Sequence, residues 1–175
     1  LQQYYRDIRI SSLYEGTTGI QSQDLLGRKV MMHNGKGLEL LAAEIMQTIM
    51  EASKDEELKG YAAVLGDTLK LSQKVIGKLM PFAMKGNYER YLSDANLFME
   101  YMSIVVVGWL WLEMAVDAKK EASNPNRKYS ETFYESKIHT MKFYFKYEVP
   151  KTNSLAASLM SDEVVTIKND KEYII

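Results

Sequence analysis

Apolar residues recur along the chain at spacings of three and four, while the strict alternation that marks strands is weak. This rhythm predicts an all-α fold: a helical bundle of about five to six helices joined by short loops, with a short extended or hairpin C-terminal tail. Residues 2–13 read as a first helix with Tyr5, Ile8 and Leu13 on its apolar side, broken by Glu15 and Gly16. Thr18 and Gln21 have the spacing of a capping box, opening a helix over 19–32. After a break at Asn34, Gly35 and Gly37, a third helix over 38–52 carries Leu38, Leu41, Ile45 and Ile49 in one stripe. Ser53 and Glu56 form a second candidate capping box, before a long helix with Leu58, Ala62, Leu65, Leu69, Ser72 and Ile76 on one face that should stop near Pro81. Gly86 and Asn87 mark a turn.

The longest helical segment, 88–122, is apolar nearly all round between Met99 and Ala118, the pattern of a bundle's central helix. Asn124, Pro125 and Asn126 end it. A further helix over 131–147 places Phe133, Ile138, Met141 and Phe145 on one side, and Pro150 interrupts it. One or two more turns are expected over 151–161. The tail 164–175 (VVTIKNDKEYII) has β-rich ends around Asn169 and Asp170, consistent with a small hairpin or a docked extended segment.

Composition narrows the function classes. The 175 residues are 46% hydrophobic and 26% charged, the profile of a folded globular domain. Twenty-two Lys and Arg against 23 Asp and Glu leave a net charge of -1, so no positive field gathers a nucleic acid. The absence of cysteine excludes disulfides, thiolate zinc sites and a thiol nucleophile. Residues 1–10 are too polar for a signal peptide, which makes the cytoplasm the default location. The apolar run 104–112 (IVVVGWLWL) is about half the ~20 residues of a membrane span, so no span is expected and a buried helix is. A chain opening on Leu1 and running straight into a charged helix suggests a piece excised from a longer protein.

The informative run is 5–30, YRDIRISSLYEGTTGIQSQDLLGRKV. Arg6-Asp7, then Tyr14-Glu15-Gly16-Thr17, then Ile20-Gln21, resembles in order and spacing the C-terminal signature of the FAD-dependent acyl-CoA dehydrogenases. The rest resembles, in length and helical pattern, the helical domain appended in long members of that family. The resemblance implies three parts: 1–33 as the end of the family's C-terminal helical domain with its catalytic loop, 34–160 as the appended bundle, and 161–175 as an extended tail. It also implies α,β-dehydrogenation of an acyl-CoA thioester to a trans-2-enoyl-CoA. Glu15 would be the base that takes the α-proton, Gly16 and Tyr14 would lie against the substrate, and Thr17, Thr18 and Gly19 would contact FAD. Many members carry a polar side chain where this chain has Gly19, so its contact is limited to backbone. Electron-transferring flavoprotein is the implied electron acceptor, and a homo-oligomer the implied assembly. The isolated piece is expected to be inactive.

Physical chemistry agrees with these roles. A thioester α-proton is weakly acidic, so a carboxylate base needs excluded water, a raised pKa and stabilisation of the developing enolate. Leu13 and Tyr14 flank Glu15 with apolar groups that favour a raised pKa. Gly16 permits close approach and a positive φ. Each residue also has a plainer reading: Arg6 and Asp7 as an ion pair or cap, Thr17 and Thr18 as helix caps, Tyr14 as packing. His33 and His139 have no acidic cluster in sequence and read as solvated, not metal ligands. Gly35 and Gly37 lack the GxxxxGK[ST] spacing of a phosphate loop. Trp109, Trp111 and eleven methionines read as core, and Lys137, Lys142, Lys146 and Lys151 as a wet helix face. Two other functions stay open: a structural or oligomerisation bundle without catalysis, and an acyl-CoA oxidase that passes electrons to oxygen. Acyl chain length is not readable.

Overall fold

The computed structural model describes residues 2–14 and 16–167. Within them the chain is helical, with no strand among the described residues. Four long helices form the body: α4 (Lys36–Ala52), α5 (Lys59–Met84), α7 (Ala95–Ala122) and α8 (Glu131–Tyr147). Shorter ones lead in and out: α1 (Gln2–Arg9), α2 (Ser11–Tyr14), α3 (Thr18–Asp24), α6 (Tyr88–Leu92) and α9 (Lys151–Met160). A widened π turn, Leu25–Lys29, continues α3, and a 3-10 turn, Met32–Gly35, precedes α4.

α7 is the axis. Being apolar nearly all round, it is stable only when enclosed, and it packs against α3, α4, α5, α8 and α9, most extensively against α8. The closest approach uses a glycine: a Cβ on Gly108 would sit 3.4 Å from Val149 Cγ2 and 3.7 Å from Tyr144 Cε1, so the α8 end and the loop after it lie directly on the α7 backbone. Phe98, Tyr101, Leu112 and Ala115 of α7 are fully buried, with Ile45, Leu65, Val75 and Met141 from the helices around it. By length and composition α7 is apolar enough to cross a membrane, but here it is the core helix of a bundle.

Buried polar atoms tie the helices together, and among the described residues none is left without a partner. Tyr91 donates to the Leu26 carbonyl (2.8 Å), Tyr101 to the Thr68 carbonyl (2.9 Å), and Trp109 Nε1 to Thr48 Oγ1 (2.8 Å). Burial pushes the Tyr91 and Tyr101 hydroxyls above their ordinary pKa. The buried Arg90 lies over the Phe82 ring and donates from Nη2 to the Ser161 carbonyl (2.8 Å), holding the segment after α9 to the bundle. Glu57 joins three elements: it accepts from Lys119 of α7 and, at 2.5 Å, from Lys142 of α8. These two ammonium groups lower its pKa from 4.5 to about 2.

Several boundaries differ from the sequence reading. The first helix is two, α1 and α2, and its apolar side faces out: Tyr5, Ile8 and Leu13 are 67%, 70% and 77% exposed. The cap of α3 is Thr17, not Thr18, because Thr17 alone has extended backbone just before the first helical turn; its Oγ1 accepts from Ile20 N. Ser53 closes α4, donating to the Ile49 carbonyl (2.7 Å). Asp55, in place of the Ser53–Glu56 pair, accepts from the N–H of Glu57 and Leu58 and launches α5. α5 runs through Pro81 to Met84, since a proline removes only its own N–H and the Lys85 N–H still reaches the Pro81 carbonyl. The segment 88–122 breaks at Ser93 and Asp94, where Ser93 donates back to the Arg90 carbonyl and Asp94 leaves the helical region. The lysine row is not simply wet: Lys142 pairs with Glu57 and Lys151 with Glu148 (2.6 Å). Residues 161–167 of the tail are bends, while 168–175, the other part of the expected hairpin, lie outside the described residues.

Tyr91→Phe leaves the Leu26 carbonyl buried without its donor and is expected to cost about 1 kcal/mol in denaturant unfolding at unchanged slope. Glu57 has a lowered pKa in the folded chain, so its stabilisation is present above pH 4.5 and is lost as pH falls towards about 2. Its side chain is 40% exposed, so solvent screening keeps the effect to about 1 kcal/mol or less. Glu57→Gln should therefore lower the melting temperature slightly at pH 7 and flatten the acid limb of stability against pH; an unchanged acid limb would count against the pairing.

Candidate functional site

The signature run occupies the entry to the bundle. α1 and α2 carry its first part, and no residue of either is buried. Tyr4, Tyr5, Ile8, Ile10, Leu13 and Tyr14 are 55–84% exposed, an apolar surface of the kind that marks a contact with other protein. Asp7, read as a partner of Arg6, accepts instead from Gln3 Nε2 one helical turn earlier (2.8 Å).

The chain then turns. Tyr14 ends α2 and is 84% exposed; Glu15 lies outside the described residues. Gly16 has φ +86°, a left-handed conformation that side chains rarely adopt, so the turn itself requires glycine. Thr17 caps α3, Thr18 is its exposed first residue, and Gly19 follows with open space where a Cβ would stand. The first bond of the helix runs from Gln21 N to the Thr17 carbonyl (3.1 Å), so the N–H groups of Thr18 and Gly19 come before it.

Below this edge the packing tightens. Ser22 of α3 is buried and donates to Asn96 Oδ1 of α7 at 2.5 Å. Leu26 and Val30 are buried, and Gly27 admits the Leu92 side chain, whose Cδ2 lies 3.2 Å from where a Cβ would be. Arg28 clasps Asp24 through Nε (2.5 Å) and Nη2 (2.9 Å) and lowers its pKa, mainly by that hydrogen bond. Tyr14, Gly16, Thr17, Thr18 and Gly19 thus form one exposed polar-apolar edge anchored through α3 to the central helix. The cavities of about 530 Å³ between α5 and α8 and about 410 Å³ between α4, α5 and α7 lie elsewhere. Leu13 and Tyr14, read as an apolar flank, are 77% and 84% exposed. His33 also stands in solvent, in a left-handed turn with Asn34 and Gly35.

A sequence profile of the family described as "Acetyl-CoA dehydrogenase C-terminal like" matches residues 41–168. Among individual relatives, a broad-specificity linear acyl-CoA dehydrogenase of Mycobacterium tuberculosis is 27% identical over 97% of this chain and 28% of its own length. A butyryl-CoA dehydrogenase of Syntrophomonas wolfei is 29% identical over 83% of this chain and 24% of its own. A 3-methylmercaptopropionyl-CoA dehydrogenase of Ruegeria pomeroyi is 52% identical over 52 residues, 30% of this chain and 9% of its own. The chain spans about a quarter of the length of the first two.

The cap position can be checked directly. Thr17→Ala removes the acceptor at Ile20 N and should weaken the first turn of α3 by about 1 kcal/mol, read as roughly fivefold faster amide exchange at Ile20. Thr18→Ala should leave that exchange unchanged. The reverse pattern would move the cap to Thr18.

Proposed function

The chain belongs to the acetyl-CoA dehydrogenase C-terminal-like family, and from that premise we propose that it is the C-terminal helical part of an FAD-dependent acyl-CoA dehydrogenase in which Glu15 is the base. The observation that carries this reading is the run Tyr14-Glu15-Gly16-Thr17, set in a turn that requires glycine and next to an apolar helix pair open to solvent.

The proposed chemistry follows from that setting. Glu15 takes the proton from Cα of the acyl-CoA thioester; its carboxylate is a strong enough base only when water is excluded. Leu13 and Tyr14 supply the apolar flank once α1 and α2 are covered by the larger protein. Gly16 presents bare backbone to the thioester, and Tyr14 lies beside it. A bound FAD would supply the acceptor for the hydride from Cβ, which the loss of the α-proton to Glu15 balances in forming the trans-2-enoyl-CoA. The residues present suit one wall of its site: an unblocked helix start at Thr18 and Gly19, the exposed Thr18 side chain, and open space above Gly19 where the backbone alone can make contact.

The division into 1–33, 34–160 and 161–175 belongs to the same proposal, with α3 as the piece that ties the catalytic edge to the bundle. So do electron-transferring flavoprotein as acceptor, a homo-oligomeric parent and a cytoplasmic location. The 175 residues alone are expected not to turn over acyl-CoA, because the flanks of Glu15 stand in water. A structural role is favoured alongside catalysis by the exposed α1–α2 surface, which suits a contact with the rest of the polypeptide.

Glu15→Gln in the protein that contains this segment should lower dehydrogenation by roughly 10²–10⁴-fold with acyl-CoA binding retained. Retained turnover would remove the catalytic reading and leave the structural one. Stoichiometric peroxide in air, with no need for electron-transferring flavoprotein, would assign the parent to the oxidases instead.

A further inference from the structure

α8 carries two adjacent rows at helical spacing. One consists of rings, His139, Phe143 and Tyr147, and the other of ammonium groups, Lys142 and Lys146. Both rows line the cavity of about 530 Å³ between α8 and α5, whose opposite side is formed by Tyr61 and Val64. Phe143 and Tyr147 are 54% and 51% exposed beside this concavity. Their rings are 4.8 Å apart and tilted by 47°, so neither covers the other's face.

The charges are unequal in availability. Lys142 is neutralised by Glu57. Lys146 and His139 have no carboxylate partner among the described residues, and Lys146 Nζ lies 5.3 Å from the Tyr147 ring centre. Among the described residues no carboxylate lines the cavity. The lining therefore offers ring faces for a flat π-system and one uncompensated ammonium group, with an imidazole, for an anion.

We propose that this cavity is a binding site for a purine nucleotide, the base lying against Phe143 and Tyr147 and the phosphates met by Lys146 and His139. A flat base beside an anion fits a half-open groove between two helices, and the chain's net charge of -1 argues against a polynucleotide. Free nucleotide and the nucleotide end of coenzyme A present the same chemistry. The proposal stands apart from the role of Glu15, and its test involves no turnover.

The test is a nuclear magnetic resonance titration of the 175-residue chain with ADP, adenosine, inorganic phosphate and coenzyme A. ADP is expected to shift the resonances of His139, Phe143, Lys146 and Tyr147 saturably, with adenosine and phosphate each at least about tenfold weaker. Coenzyme A should compete with ADP for the same resonances. Tyr147→Ala should weaken ADP at least about fivefold, the loss of one stacked base, and Lys146→Glu at least about tenfold. Both side chains are exposed, so both variants should keep the parent's melting temperature; Phe143→Ala gives the same stacking test should Tyr147→Ala not fold. The proposal is overturned if ADP does not saturate these shifts at millimolar concentration, or if the variants bind like the parent. It is equally overturned if phosphatidylserine vesicles perturb this face and ADP does not, which assigns it to a lipid surface.

Discussion

A helix that is apolar on nearly every side cannot stand alone in water, and α7 imposes that constraint on everything around it. α3, α4, α5, α8 and α9 supply neighbours for one side of its 28 residues, while Val107, Leu110 and Met114 keep 37–41% of their surface in solvent. Gly108 lets the end of α8 and Val149 settle on the α7 backbone, which fixes where the chain must reverse before α9. The buried hydroxyls of Tyr91 and Tyr101 then set the register of neighbours that apolar packing alone leaves free to slide, because a buried carbonyl without a donor is costly. Tyr91 matters most for the candidate site: the carbonyl it holds belongs to Leu26, in the widened turn that carries α3 into the bundle.

Apolar side chains are thus treated in opposite ways at the two ends of the 4–30 segment. Leu26 and Val30 are buried to within a few per cent, whereas Tyr4, Ile8, Leu13 and Tyr14 are 70–84% exposed. Burying a side chain of this size is worth roughly 1.5–3 kcal/mol, so a surface of six such groups is stable only with a cover. Gly16 and Thr17 stand between the two regimes, after the uncovered α1 and α2 and before the buried end of α3 and the turn that follows it.

The all-α class, the central helix and the bounds of the 131–147 helix were legible in sequence because each rests on many side chains at one period. Single-residue punctuation was read less well. Pro81 was read as a stop, although a proline near a helix end costs one donor and the turn beyond it can still close. Ser53 and Glu56 have the spacing of a capping box, but Asp55 between them has the shorter side chain that folds onto the next two N–H groups, and it prevails. The segment 88–122 showed no glycine or proline at 93–94, so its break, made by serine and aspartate side chains competing with the backbone, left no strong mark. Periodicity reported which side of 2–13 is apolar. It carried no information on whether that side meets a partner within these residues. The aromatic and cationic rows of α8 were visible as residues, but their shared cavity depends on α5, with Tyr61 lying 78 positions before His139, and no local pattern encodes that distance.

The shift of the α3 cap by one residue also changes what the site can offer. Had Thr18 been the cap, its hydroxyl would have been spent on the helix and Gly19 would have been the first helical residue. With Thr17 as cap, Thr17 Oγ1 is engaged by Ile20 N, while Thr18 and Gly19 enter the first turn ahead of its first backbone bond and the Thr18 side chain is left exposed. Thr17 thus fixes the helix start, while the Thr18 side chain stands exposed and nothing lies within 4 Å of where a Cβ on Gly19 would be.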